Sequence, residues 1–202
     1  MIAVLDYGIG NLRSAEKALQ RVGGDACLTD DPEVAKSAEG VVVPGVGAFG
    51  PCMEALRRCG LDKVVLGAVD QGTPLLGICI GLQMLFDGSD EDPGVPGLGI
   101  LPGRLRRLPD GVKRPQMQWN RLDAMAAGHP LLAGLGAEPW VYFVHSYAAD
   151  HCSDVVATCD YGGPVVAAVA RGPIWATQFH PEKSGPVGMR LLSNFVNRCR
   201  PA

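Results

Sequence analysis

Short apolar runs alternate with helix-period segments through the first half of this chain, and that alternation leaves few architectures open. Ile2 to Tyr7, Asp25 to Thr29, Gly40 to Val43 and Pro74 to Ile78 each read as a short buried strand. Between the first two, Leu12, Ala15, Leu19 and Val22 recur at helical spacing, with Asn11 placed to cap the helix. Further helices are expected near 49–59 and 61–70. Strands that alternate with helices in this way form a mainly parallel sheet covered on both faces, a three-layer α/β architecture. From about Gly97 the pattern changes: segments 98–107, 116–123, 139–147, 155–160, 165–170 and 173–179 read as strands without clear helices between them. They predict a mixed or antiparallel extension of the sheet. Val187, Leu191, Leu192, Phe195 and Val196 then fall on one face of a closing helix. With no linker or repeat, residues 1–202 are expected to form one domain.

Three motifs follow strands, and in open α/β sheets sites form outside the carboxyl ends of strands. The first is Gly77-Ile78-Cys79-Ile80-Gly81, a thiol version of the G-x-S-x-G elbow. It puts Cys79 on a sharp turn from strand to helix, where the helix N-terminus favours thiolate. The second is His180-Pro181-Glu182. A free thiol titrates near ~8.5, so it needs a base; His180 is one, and Glu182 is placed to set its tautomer. The third is Val43-Pro44-Gly45-Val46-Gly47, a glycine-bearing loop. Attack on an acyl carbon creates an oxyanion that needs aimed N–H donors. Ile80 can supply one by position, and the Gly45-Val46-Gly47 loop has the freedom to supply the other. The loop lacks G-x-G-x-x-G and a following Lys-Ser/Thr, so nucleotide binding is poorly supported.

Composition narrows the function further. A formal charge of −3 gives no electrostatic case for nucleic acid or an anionic membrane surface. Asp6 interrupts the apolar start, and no later run approaches bilayer length, so neither a signal peptide nor a membrane span is expected. Seven cysteines without C-x-x-C spacing predict reduced thiols in a cytoplasmic protein, and the four dispersed histidines argue against a metal site. Asp87 to Asp92 reads as a solvated acidic loop. Arg104, Arg106, Arg107, Lys113 and Arg114 read as a solvated strand face.

These motifs, in this order, resemble class I, triad-type glutamine amidotransferases, and among them the glutaminase subunits of imidazole glycerol phosphate synthases. Further matching segments are Val4 to Leu12, Pro44 to Phe49, Gly77 to Gln83, Gly97-Leu98-Gly99, Tyr142 to Tyr147 and Gln178 to Ser184, so the likeness spans essentially the whole chain. One departure is Gln118, where the family usually has glycine before Trp119-Asn120. The resemblance implies a flavodoxin-like fold and a Cys79–His180–Glu182 triad. It implies an oxyanion hole at Val46, Gly47 and Ile80, and L-glutamine binding by Gly45, Gln83, His145, Ser146 and Tyr147. It implies no cofactor, and a separate (β/α)₈-barrel cyclase partner that uses the released ammonia. Asn11, Trp119, Asn120 and Lys183 are the candidates for its docking face, although Trp119 also fits a core and Lys183 a solvated charge. A cysteine peptidase, another amidotransferase or a non-enzymatic flavodoxin-like domain remain as rival classes.

Overall fold

The early apolar runs form β1 (Ile2–Leu5), β2 (Ala26–Thr29), β3 (Gly40–Val43) and β4 (Leu75–Ile78). They are connected by α1 (Leu12–Arg21), α2 (Pro32–Lys36), α3 (Phe49–Arg58) and α4 (Leu61–Gln71). The computed structural model describes residues 1–10, 12–150 and 152–200. Asn11, expected as a helix cap and docking residue, therefore lies outside the described residues. Helix α2 was not expected; five residues are too few to display a period. Its start is nonetheless encoded locally, since Asp31 accepts a hydrogen bond from Glu33 N at 2.8 Å and Pro32 opens the first turn.

After β4 come α5 (Ile80–Met84), β5 (Gly88–Ser89), β6 (Arg104–Arg107), β7 (Gln116–Arg121) and β8 (Ala124–Met125). The chain continues through β9 (Trp140–His145), β10 (Tyr147–Ala149), β11 (Val155–Asp160), β12 (Pro164–Arg171) and β13 (Ile174–Thr177), and closes with α6 (Gly185–Cys199). Among the described residues the main sheet runs β2-β1-β3-β4-β13-β12-β11-β8. The pairs from β2 to β13 are parallel, and those from β13 to β8 are antiparallel. The expected parallel core with an antiparallel extension is therefore what forms.

Period-2 alternation in the strands decides which helix covers which face. Ile2, Val4, Val42, Leu76 and Ile78 pack with Ala15 and Leu19 of α1 and with Leu191 and Phe195 of α6. Ala3, Leu5, Val41, Val43 and Leu75 point the other way, onto Phe49, Leu56, Leu61 and Val65 of α3 and α4. Each fully buried leucine or phenylalanine contributes roughly 1.5–3 kcal/mol.

Two expected strands differ in detail. Segment 98–107 is extended only from Arg104; before it, the backbone wraps the end of α5, with Leu98 N donating to Met84 O and Leu101 N to Leu85 O, each at 2.9 Å. Segment 139–147 divides at Ser146. β9 pairs with β7 up to His145, whereas Tyr147 onward pairs with β6. The acidic loop is engaged rather than solvated: Glu91 and Asp92 accept hydrogen bonds from Phe49 N and Gly50 N at 2.9 and 2.8 Å, at the start of α3. Asp90 pairs with Arg104 and Arg106, so these two arginines are not simply solvated. No helix among the described residues is long and apolar enough to cross a membrane.

Candidate active site

Strands β3, β4 and β13 are adjacent and parallel, so the loops at their carboxyl ends meet. Cys79 follows β4 with φ 54° and ψ −105°, alone among the described non-glycine residues in having positive φ. Its N–H donates to Thr177 O at 2.7 Å, which ties the elbow to the end of β13. The turn is possible because α5 starts hard against β3: a Cβ on Gly81 would lie 1.8 Å from Val43 O. Gly45 is equally confined, since a Cβ there would meet the Tyr7 hydroxyl at 2.0 Å and Ile80 Cγ2 at 2.3 Å. Tyr7 is buried and donates to Pro44 O at 2.5 Å, fixing the start of the glycine loop.

His180 lies just beyond β13, with its backbone N–H bound to Tyr142 O at 3.0 Å. Its Nδ1 meets Glu182 Oε1 at 2.7 Å, with both side chains buried. Pro181 starts the short 3₁₀ turn that brings the two residues to the same side. Ser184 holds this turn, donating to His180 O at 2.6 Å and accepting from Tyr142 N at 3.0 Å. Burial pulls the His180 imidazole down, but the neighbouring Cys79 sulfur and the Glu182 carboxylate outweigh it, and the pKa is raised to about 9. His180 Nε2, on the ring edge away from Glu182, and Glu182 Oε2 are buried and have no hydrogen-bond partner among the described residues. A thiol, an imidazole beside it and a carboxylate on the far ring nitrogen are the parts of a nucleophile–base–orienter relay.

A cavity of about 220 Å³ opens at Cys79. Val46, Gly47 and Ile80 line one side, Val144, His145, Ser146 and Tyr147 another, with Gln83, Glu91 and Pro115 completing the wall. The expected oxyanion and substrate residues are therefore brought together, except that Gly45 lies behind the cavity wall. Gln83 is already engaged: its Nε2 donates to Tyr147 O at 2.9 Å and to Gln178 Oε1 at 3.0 Å. His145 donates Nδ1–H to Tyr147 O at 3.0 Å, and its Nε2 lies 2.9 Å from the Gln116 carboxamide, which in the neutral ring must turn its NH₂ group to it. Burial lowers its pKa to about 4; the bond to the Tyr147 carbonyl opposes this and His180 adds to it. His145 is accordingly neutral and braces the wall.

Sequence reasoning missed Glu91, Pro115 and Val144 as cavity residues, and gave Gln178 no role. Glu91 sits in the acidic loop, whose composition resembles any solvated loop, and only its bond to the start of α3 turns it inward. Gln178 was visible beside His180, but its direction depends on β13 lying next to β4.

The described residues expected at a docking face, Trp119, Asn120 and Lys183, lie on the neighbouring β7–β9 ribbon and the 3₁₀ turn. Trp119 is 47% exposed, its ring edge-on to Tyr142 with centroids 6.1 Å apart, so it is not a core residue. Met117 and Trp140, also exposed, share its face, and Met117 pairs across the ribbon with the cavity residue Val144. Asn120 is turned back to Asp160 O at 2.9 Å, and Lys183 is exposed. Gln118 is exposed on β7, where it pairs with Phe143 of β9.

The family profile "Glutamine amidotransferase class-I" matches residues 3–199. The imidazole glycerol phosphate synthase subunit HisH of Methanothermobacter thermautotrophicus is 49% identical over 201 residues, covering 99% of this chain and 100% of that protein. The subunit of the same name from Deinococcus radiodurans is 48% identical over 205 residues, covering 100% of this chain and 95% of that protein. Among solved structures, one described as a glutamine amidotransferase superposes with a TM-score of 0.77 at 23% identity, covering 98% of this chain and 99% of its own. The PurLQS structure from Thermotoga maritima gives 0.75 at 20% identity, covering 97% of each chain. At these identities the structural matches bear on the fold alone.

Proposed function

The chain belongs to the class-I glutamine amidotransferase family, and from that premise we propose that it hydrolyses L-glutamine to glutamate and ammonia and passes the ammonia to the cyclase subunit of an imidazole glycerol phosphate synthase, in histidine biosynthesis. The observation that carries this reading is the convergence of Cys79, His180 and Glu182 at the carboxyl ends of two adjacent strands, beside a cavity of amino-acid size.

The Cys79 thiolate attacks the side-chain amide carbon of glutamine. The resulting oxyanion is held by the Ile80 N–H, which has no partner within its helix at that position, and by the Val46–Gly47 peptide. His180, charged at neutral pH, gives its proton to the departing nitrogen as the carbon–nitrogen bond breaks, leaving a glutamyl thioester and ammonia. The now neutral imidazole takes a proton from water, which attacks the thioester; glutamate leaves and the sulfur returns as thiolate. Glu182 orients the ring and stabilises its charged form. Ser146 and Tyr147 line the amino-acid end of the cavity with Gln83, and the Glu91 carboxylate is the complement for the α-ammonium group.

Ammonia released to bulk water is protonated and lost as a nucleophile, so the product side needs a docked consumer. The ribbon carrying Met117, Trp119 and Trp140 adjoins the cavity wall and is the docking face we assign, with Lys183 at its edge. Its partner is a (β/α)₈-barrel cyclase that yields imidazole glycerol phosphate and aminoimidazole carboxamide ribonucleotide. Residues 1–202 act as one amidotransferase domain in the cytoplasm, without cofactor, nucleic acid or membrane. The test is glutamate release from L-glutamine by the chain alone and with a cyclase subunit and its nucleotide ligand, with Cys79→Ala beside it. Activity dependent on the ligand-bound pair and abolished in the variant is expected. Activity untouched by the variant rejects the mechanism.

A further inference from the structure

We infer that Gln178 is a positioning residue for the nucleophile: its buried carboxamide is locked with the NH₂ group, rather than the oxygen, facing the Cys79 sulfur. The inference rests on the proposed role of Cys79 and extends it to a residue outside the triad. Gln178 is fully buried directly after β13, and its Nε2 lies 3.7 Å from Cys79 Sγ.

The orientation of an amide is read from its partners. Here the chain of partners starts from a group with only one role. The Tyr147 carbonyl can only accept, so Gln83 must turn its NH₂ group toward it, at 2.9 Å. The second hydrogen of that NH₂ group is then directed at Gln178, 3.0 Å away, and Gln178 must answer with its oxygen. Its own NH₂ group is left facing the sulfur. The path is anchored at one end by a backbone carbonyl, and its Gln83–Gln178 and Gln178–Cys79 links are buried, so reversing the amide would oppose donor to donor at Gln83.

The consequence is chemical. A donor aimed at sulfur favours the charged form over the neutral thiol. On its other side Cys79 Sγ has the Val144 carbonyl at 3.8 Å, an acceptor suited to the S–H form. The sulfur thus sits between one partner for each protonation state, and Gln178 tilts the balance toward thiolate while fixing where the sulfur points. The titratable groups around Cys79 are His180 beyond β13, Tyr7 beyond β1, Cys52 in α3, and Glu91 and His145 across the cavity; none of them is replaced in the Gln178 variants.

The test uses Gln178→Met, which removes the donor at similar length, and Gln178→Glu, which keeps the shape and the acceptor for Gln83. In the Glu variant the new carboxyl and the thiol share one proton, so full thiolate forms only at higher pH. Iodoacetamide labelling of Cys79, followed by peptide-resolved mass spectrometry across pH, reads the thiolate directly. Glutamine turnover is measured in the complex with the cyclase subunit. The expected result is a rate–pH profile moved upward by about one unit, with kcat lowered about tenfold near neutrality and KM within about twofold. An unmoved labelling profile overturns the inference, whatever happens to kcat, because loss of packing alone lowers turnover without changing thiolate formation. If the Met variant does not fold, Gln178→Leu, which also removes the donor without adding a charge, takes its place. If Cys79→Ala retains glutamine hydrolysis, the nucleophile assignment itself has failed; if it does not and the Gln178 profiles are unmoved, only this inference has.

Discussion

The backbone at Cys79 is held where an ordinary side chain is disfavoured, and comparing Cys79→Ala with Cys79→Gly isolates that strain. Both variants lack the sulfur, so they differ only in the Cβ. At an unstrained buried position, alanine to glycine loses about 0.4–1 kcal/mol through the freer unfolded chain and about 0.8 kcal/mol for the buried methyl, roughly 1.5 kcal/mol together. At φ 54° and ψ −105° a Cβ adds strain to the folded state, of order 1–3 kcal/mol, which glycine relieves. The two effects oppose each other, and the net runs from about 0.5 kcal/mol against the glycine variant to about 1.5 kcal/mol in its favour. Urea unfolding of the two variants, both catalytically dead, measures the difference at equal slope. A glycine variant matching or exceeding the alanine variant is expected. A glycine variant weaker by about 1.5 kcal/mol would show that the elbow stores no strain and that its geometry is relaxed.

Other perturbations follow from the same geometry. Gly81→Ala would place a Cβ 1.8 Å from the Val43 carbonyl, a backbone atom that cannot rotate away. It should cost about 3 kcal/mol or more and abolish turnover, and a melting temperature equal to wild type would contradict the close approach. Glu182→Gln keeps the shape of the turn but removes the charge opposite His180; kcat should fall by about three to four orders of magnitude, and a loss under tenfold would mean that Glu182 does not orient the ring. His145 is held neutral, its pKa lowered from 6.5 to about 4, so the unfolded chain binds its proton first as pH drops. Its contribution is complete above pH 6.5 and is lost as pH falls through about 4, amounting to about 3 kcal/mol. Unfolding free energies of wild type and His145→Gln should therefore converge on acidification, and parallel curves would refute the assignment.

The parts of this protein carried by local rules were legible from residues alone. The strands β1, β3 and β4 announce themselves because a strand buried on both faces must be apolar throughout, and α3 and α4 because helical spacing persists over several turns. The Cys79 elbow was legible for a similar reason: a side chain on so tight a turn needs glycine neighbours, and Gly77 and Gly81 stand where they are required. His180 and Glu182 come together through a single turn started by Pro181, so two residues of separation were enough to pair them.

What needed the tertiary structure is whatever depends on which segments become neighbours. His145 ends one pairing and Tyr147 begins another, yet the strand-like run from Trp140 to Ala149 shows no break in sequence, because residue types record burial and carry no label for the partner strand. Glu91 looks like any solvated acid until the start of α3 draws it to the cavity edge. Gln178 and Cys79 are 99 residues apart and meet only because β13 inserts beside β4, a choice made by the whole sheet. The sequence by itself determined the strand-and-helix layout and named the reacting thiol, imidazole and carboxylate, since each is set by residues close along the chain. Only the fold decided the cavity walls, the direction of Gln178 and the exposure of the ribbon, because these are contacts between segments whose meeting is settled by packing rather than by spacing.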